Sequence, residues 1–126
     1  MPFKPGTMLY PLPVVMVSCG DSPDNYNIVT AAWTGTICSD PPMCYVSLRK
    51  ERFSHPIIMR TKEFVINVTT ESLARATDWC GVRSGKDYNK FKEMHLTPEQ
   101  AQIVKAPLIA ESPLNIECQV VEVKEL

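Results

Sequence analysis

The connections between the first apolar runs leave this chain the least freedom. Val14–Cys19, Ile28–Trp33 and Met43–Leu48 each read as a strand rich in β-branched and aromatic residues. The segments between them consist of turn formers. Gly20–Asn27 (G-D-S-P-D-N-Y-N) is dense in them, and Ser39-Asp40-Pro41-Pro42 makes a tight polar corner. Such joints are too short for the helical crossovers that parallel strands need, so the three strands are expected to form an antiparallel meander.

The remaining segments add helices without changing that frame. Met1–Pro13 carries four prolines and should be an extended lead-in kept out of a sheet centre. Ser54 is placed to cap a short helix with Pro56 at its second position. Glu63–Val68 is a fourth strand. Thr70 can cap a helix from Glu71 to Cys80, with Gly81 as its left-handed stop. Asp87 can cap another, with Lys90 in its first turn and Phe91 and Met94 on one face. Thr97-Pro98-Glu99-Gln100 has the form of a capping box and predicts a helix to about Val104. Ile116–Val123 reads as a last strand. The sum is a mainly β antiparallel barrel with a helical insertion between its fourth and fifth strands.

Composition restricts the partners. With 126 residues, 44% of them hydrophobic, the chain fits one domain, 1–126, with a sizeable core. The formal net charge of -1 gives no support for nucleic acid or an anionic membrane surface as partner, so any anion site must be local. No apolar run approaches the length of a membrane span. Five cysteines without a C-x-x-C pair or an apolar leader point to reduced thiols and a cytoplasmic setting. Only two histidines, His55 and His95, are present, and neither has the spacing from a cysteine that structural zinc needs.

Three stretches could carry chemistry. In N-I-V-T-A-A-W-T-G-T the small residues around Trp33 would let a planar ring approach the backbone, with Thr34 and Thr36 adding hydroxyls; the alternative is that Trp33 is a core plug. In S-L-R-K-E-R-F-S-H-P, Arg49, Lys50 and Arg52 crowd a strand exit that leads into a helix start. That arrangement suits a phosphate, or else a solvated, charge-protected turn. C-G-V-R-S-G-K-D-Y-N-K-F holds a glycine-flanked basic loop that could close over an anion or be a surface loop. It lacks the spacing of a P-loop. Cys80 has no histidine nearby to activate it, and burial is its commoner fate.

Together N-I-V-T-A-A-W-T-G-T-I-C-S-D-P-P-M-C-Y-V-S-L-R, R-F-S-H-P-I-I-M-R-T-K-E-F-V-I-N-V and C-G-V-R-S-G-K-D-Y-N-K-F resemble the flavin reductase-like family, most closely its flavoredoxin-type branch. The resemblance implies a Greek-key antiparallel split barrel that forms a homodimer and binds FMN near the subunit interface. It implies that Asn27, Trp33 and Thr34 line the isoalloxazine, and that Ser47, Leu48, Arg49 and Lys50 hold the ring edge, ribityl chain and phosphate. Ser54 matches a phosphate-side hydroxyl, and Lys90 a basic residue that reaches the flavin from the insertion. No catalytic side chain and no metal are expected, because flavin redox chemistry belongs to the ring. The implied activity is transfer of electrons from NAD(P)H through FMN to a small-molecule or protein acceptor. The alternatives are a flavoredoxin-type carrier without nicotinamide use, and a barrel that binds no flavin. Relatives normally continue beyond the strand at Ile116–Val123, whereas this chain stops at Leu126, so a C-terminally truncated barrel is expected.

Overall fold

A computed structural model describes residues 2–126. Its centre is a four-stranded antiparallel sheet of β1 (Val15–Cys19), β2 (Asn27–Ala31), β5 (Glu63–Val68) and β8 (Asn115–Gln119), in the order β2-β1-β5-β8. A hairpin of β3 (Thr34–Ser39) and β4 (Pro42–Val46) forms a second sheet. The insertion between β5 and β8 holds a 3-10 turn at Glu71–Leu73, α2 (Ala74–Val82), α3 (Lys90–Glu93) and a ribbon of β6 (Pro98–Glu99) with β7 (Leu108–Ile109). The helix α1 (Ser54–Thr61) joins β4 to β5.

Every residue of β1 is buried, because the strand is internal and both of its faces are covered. Side chains alternate across it. Met16 joins Ile28, Cys80, Phe91 and Ile109 under the insertion, whereas Val15 and Val17 join Val29, Ala31 and Ile66 on the face that Val46, Leu48 and Ile58 cover. Each fully buried aliphatic side chain contributes about 1.5–3 kcal/mol. Between β1 and β5 the buried Asn67 donates to Met16 O and Ser18 Oγ and accepts from the Ile109 amide and Asn115 Nδ2, which ties the insertion to the sheet.

The structure departs locally from several of the sequence-based expectations. The strand expected at Ile28–Trp33 ends at Ala31; the chain bends at Ala32-Trp33 and starts a new strand, β3, so β4 pairs with β3 rather than continuing a meander on β2. Gly35 belongs to that strand because Tyr45 lies over it: an added Cβ would sit 3.0 Å from the tyrosine ring. Gly81 does not stop α2, which runs on to Val82. It is a packing residue, since a Cβ there would stand 3.1 Å from Thr30 Cβ. Thr70 makes no side-chain cap, and α3 is capped by Asn89, whose Oδ1 accepts from the Lys92 amide, rather than by Asp87. The last strand is shorter than expected and ends at Gln119.

The helix expected from Thr97 does not form, because distant carboxylates take its groups. Thr97 gives both its amide and its hydroxyl to Glu111, at 2.8 Å each, and Pro98-Glu99 pairs with β7. The amides of Gln102, Ile103 and Val104 all donate to Glu117 on β8. Those amides of Ile103 and Val104, in that order of weight, hold the Glu117 carboxyl below its ordinary value of 4.5. A carboxyl whose folded value is depressed stabilises the fold above that ordinary value and loses the contribution as pH falls. Glu117→Gln should therefore lower the urea midpoint at pH 7, and the gap from the parent should narrow towards pH 3. An equal gap at both pH values would exclude this role.

Candidate functional site

A cavity of about 290 Å³ opens where β2, the entry to α1 and the loop after α2 meet. Asn27 and Val29 come from β2, Glu51–Ser54 from the entry to α1, Val82–Gly85 from the loop, and Lys90 from α3. The wall thus gathers Arg52, Arg83 and Lys90 against a single acidic side chain, Glu51. This local excess exists in a chain of net charge -1. The positive end of α1 forms part of the same wall.

Three of the lining side chains are polar and buried: Asn27, Ser54 and Lys90. Asn27 Nδ2 donates to Ser54 Oγ at 2.8 Å, and both residues are buried. Ser54 is therefore not the cap expected of it: it is the first residue of α1, and its hydroxyl faces Asn27. Lys90 is 2% exposed, and its Nζ donates to Ile28 O and Cys80 O, both at 2.7 Å. An ammonium has three donors, so one remains uncommitted among the described residues. Burial holds the Lys90 ammonium down at about 8. Burial likewise pushes the Cys19 and Cys80 thiols up to about 11, which leaves neither of them a nucleophile near neutrality. Arg52, also in the lining, donates from Nη2 to Gly81 O at 3.1 Å.

The structure divides the expected site residues into two groups. Asn27, Ser54 and Lys90 meet at the cavity. Trp33, Thr34, Ser47, Leu48, Arg49 and Lys50 lie outside its lining, around the base of the β3–β4 hairpin, where Ser47 N donates to Trp33 O at 2.8 Å and Thr34 Oγ1 to Tyr45 O. The core-plug alternative for Trp33 is set aside, because the side chain is 46% exposed. Arg49 is exposed, Leu48 packs against the second core cluster, and Lys50 pairs with Glu125. The two groups are joined by sequence, since Arg49 O accepts from the Arg52 amide in the turn that leads to the cavity.

The lining also takes in Arg52, Phe53, Arg83 and Gly85, which the family resemblance does not carry over. Arg52 and Arg83 belong to the two basic stretches of the sequence, and their charge is the signal that points to them. Nothing local indicated that Gly85 packs onto Asn27, where an added Cβ would be 2.3 Å from Oδ1.

Comparison with known proteins agrees with this architecture. The family model described as the flavin reductase like domain matches residues 7–126. A protein of Pyrococcus abyssi is 33% identical over 118 residues, which is 94% of this chain and 67% of the relative. One from Archaeoglobus fulgidus is 32% identical over 114 residues, 90% of this chain and 63% of the relative. Among solved structures, the flavoredoxin of Desulfovibrio vulgaris (Miyazaki F) superposes with a TM-score of 0.93 at 34% identity, covering 99% of this chain and 68% of that one. Flavoredoxin from Methanosarcina acetivorans gives 0.86 at 26% identity, covering 100% and 67%. The chain thus spans about two thirds of the length of these relatives. Its mainly β, antiparallel architecture is the split barrel of those structures, and with 120 of its residues inside the matched region the chain belongs to the flavin reductase-like family.

Proposed function

We propose that this domain binds FMN and passes electrons from NAD(P)H through it to an acceptor. The observation that carries the reading is the cavity whose lining holds Arg52, Arg83 and Lys90 together with the hydrogen-bonded Asn27–Ser54 pair at the start of α1. Cations, a helix N-terminus and a buried hydroxyl together suit a phosphate dianion. At about 290 Å³ the cavity lies at the small end of ligand pockets, roughly 300–1,000 Å³, so it fits the phosphate and ribityl end and not a whole flavin nucleotide. The exposed Trp33 at the hairpin base then offers a shelf for the ring, and Ser47–Lys50 span the distance between shelf and cavity. The residues fit the group. When bound, the flavin supplies the hydride and electron chemistry.

The chain's own side chains bind and orient. Arg52 and Arg83 neutralise the phosphate, Lys90 offers its remaining N–H, and Trp33 fixes the plane of the ring. A second reading, a carrier that holds FMN without using a nicotinamide, is supported by the similarity to flavoredoxins. Anaerobic mixing of FMN-loaded protein with NADH or NADPH decides between them: bleaching at a catalytically useful rate supports the reductase, and its absence the carrier. A homodimer belongs to the same reading, supported by the exposed Ile37 and Tyr45 of the hairpin and Trp33 at its base, and is tested by sedimentation velocity.

The phosphate assignment has its own test. Arg52→Ala should weaken FMN by about 1.5–3 kcal/mol, roughly ten- to hundredfold, and leave riboflavin nearly unchanged. Arg49→Ala, outside the cavity, should cost FMN less. Fluorescence titrations in which both ligands weaken equally for Arg52→Ala would remove it from the phosphate site.

A further inference from the structure

Two thiols that flavin binding does not use face each other across two sheets. Cys44 lies in the middle of β4 and Cys118 near the end of β8, 74 positions apart, and their sulfurs are 3.9 Å from one another. Cys44 is exposed, and Cys118 is half-buried at the rim of the second core cluster. The other three cysteines are placed differently: Cys19 and Cys80 are buried, and Cys38 Sγ donates to Pro41 O. A disulfide needs its sulfurs about 2.0 Å apart. Closure therefore needs a further approach of about 2 Å, and the hairpin that carries Cys44 is hydrogen-bonded in its own sheet, separate from that of β8.

We propose that Cys44 and Cys118 form a modification site that closes to a reversible intrachain disulfide, with a small-molecule disulfide such as oxidised glutathione as the oxidant. The Cys44 thiolate attacks one sulfur of the oxidant, forms a mixed disulfide and expels one thiol. The Cys118 thiolate then attacks the Cys44 sulfur and expels the second. In total the protein thiols lose two electrons and two protons, and one external disulfide becomes two thiols. Exposure assigns the first attack to Cys44. Burial, with Cys44 alongside, pushes the Cys118 thiol up to about 12, which makes it the slower, resolving partner. The closed bond fastens the hairpin that begins directly after Trp33 to the edge strand β8.

The native chain is incubated with excess oxidised glutathione, alkylated after denaturation and digested without reductant. The expected result is a fall by two from the five free thiols to three, a peptide joining Cys44 to Cys118, and recovery of all five with dithiothreitol. Cys44→Ser, a change at an exposed position, should leave Cys118 alkylatable and remove the linked peptide. Five surviving thiols, a lasting glutathione adduct on Cys44, or a bond from either residue to any other cysteine would overturn the assignment.

Discussion

Gly85→Ala is expected to cost about 1–3 kcal/mol of stability, the range for overpacking a close contact, and to weaken FMN at least about tenfold. The added methyl would lie 2.3 Å from Asn27 Oδ1, 2.6 Å from Asn27 Cγ and 2.7 Å from Phe53 Cδ2. None of these neighbours can retreat easily. Asn27 is buried in β2 with its amide committed to Ser54, and Phe53 leads directly into α1. The loop must therefore lift, taking Arg83 away from the cavity and opening the wall that it shares with Arg52 and Lys90. A denaturation midpoint and an FMN titration on the same variant check this. Parent-like values for both would mean that the loop has room to move, and the cavity as described would be wrong.

The second large effect falls on Lys90. Lys90→Met removes a buried charge, which favours the fold, and leaves Ile28 O and Cys80 O without their donor, which costs about 1–3 kcal/mol for each group. Stability should change modestly, whereas FMN affinity should fall by roughly ten- to hundredfold as one charge-assisted contact disappears. The pH dependence gives a sharper signature. The Lys90 ammonium sits at about 8 in the fold against an ordinary 10.5, chiefly through burial, with Cys80, Arg52 and Cys19 facing it. Above pH 8 the unfolded chain holds more protons at this residue, so the stability of the free protein rises with pH. The gain between pH 8 and 9 is at most about 1 kcal/mol, and less where water reaches the ammonium through the cavity. Above pH 9 the thiols of Cys19 and Cys80, held at about 11 against 9.0, act in the opposite sense, so the window closes there.

Phosphate favours the charged ammonium, so FMN affinity should fall with rising pH across the same window, by up to about tenfold per unit. Riboflavin should show no such slope, and Lys90→Met should abolish it. A slope shared by both ligands would exclude Lys90 from the phosphate end.

The legibility of this fold follows the range of the forces involved. β1 and β5 are readable in the sequence because short runs rich in apolar and β-branched residues, V-M-V-S-C and E-F-V-I-N-V, mark the two strands that lie inside the sheet. β3 is not, because T-G-T-I-C-S has no strong apolar pattern, and its pairing depends on β4 and on Tyr45 covering Gly35. The capping box at Thr97 is a sound local signal that loses to Glu111 and Glu117, which the chain brings back from 14 and more positions away. The site behaves in the same way. Asn27, Ser54 and Lys90 can be named from sequence, but their meeting around one cavity with Arg52, Arg83 and Gly85 is produced by packing α2 and α3 onto β2.

The most direct test is a paired titration of the purified chain with FMN and riboflavin, followed by flavin fluorescence at pH 7. A cationic cavity that grips the phosphate requires FMN to bind at least about tenfold more tightly than riboflavin, since charge-assisted contacts are worth about 1.5–3 kcal/mol each. Equal affinities, or no uptake of either flavin, would contradict it.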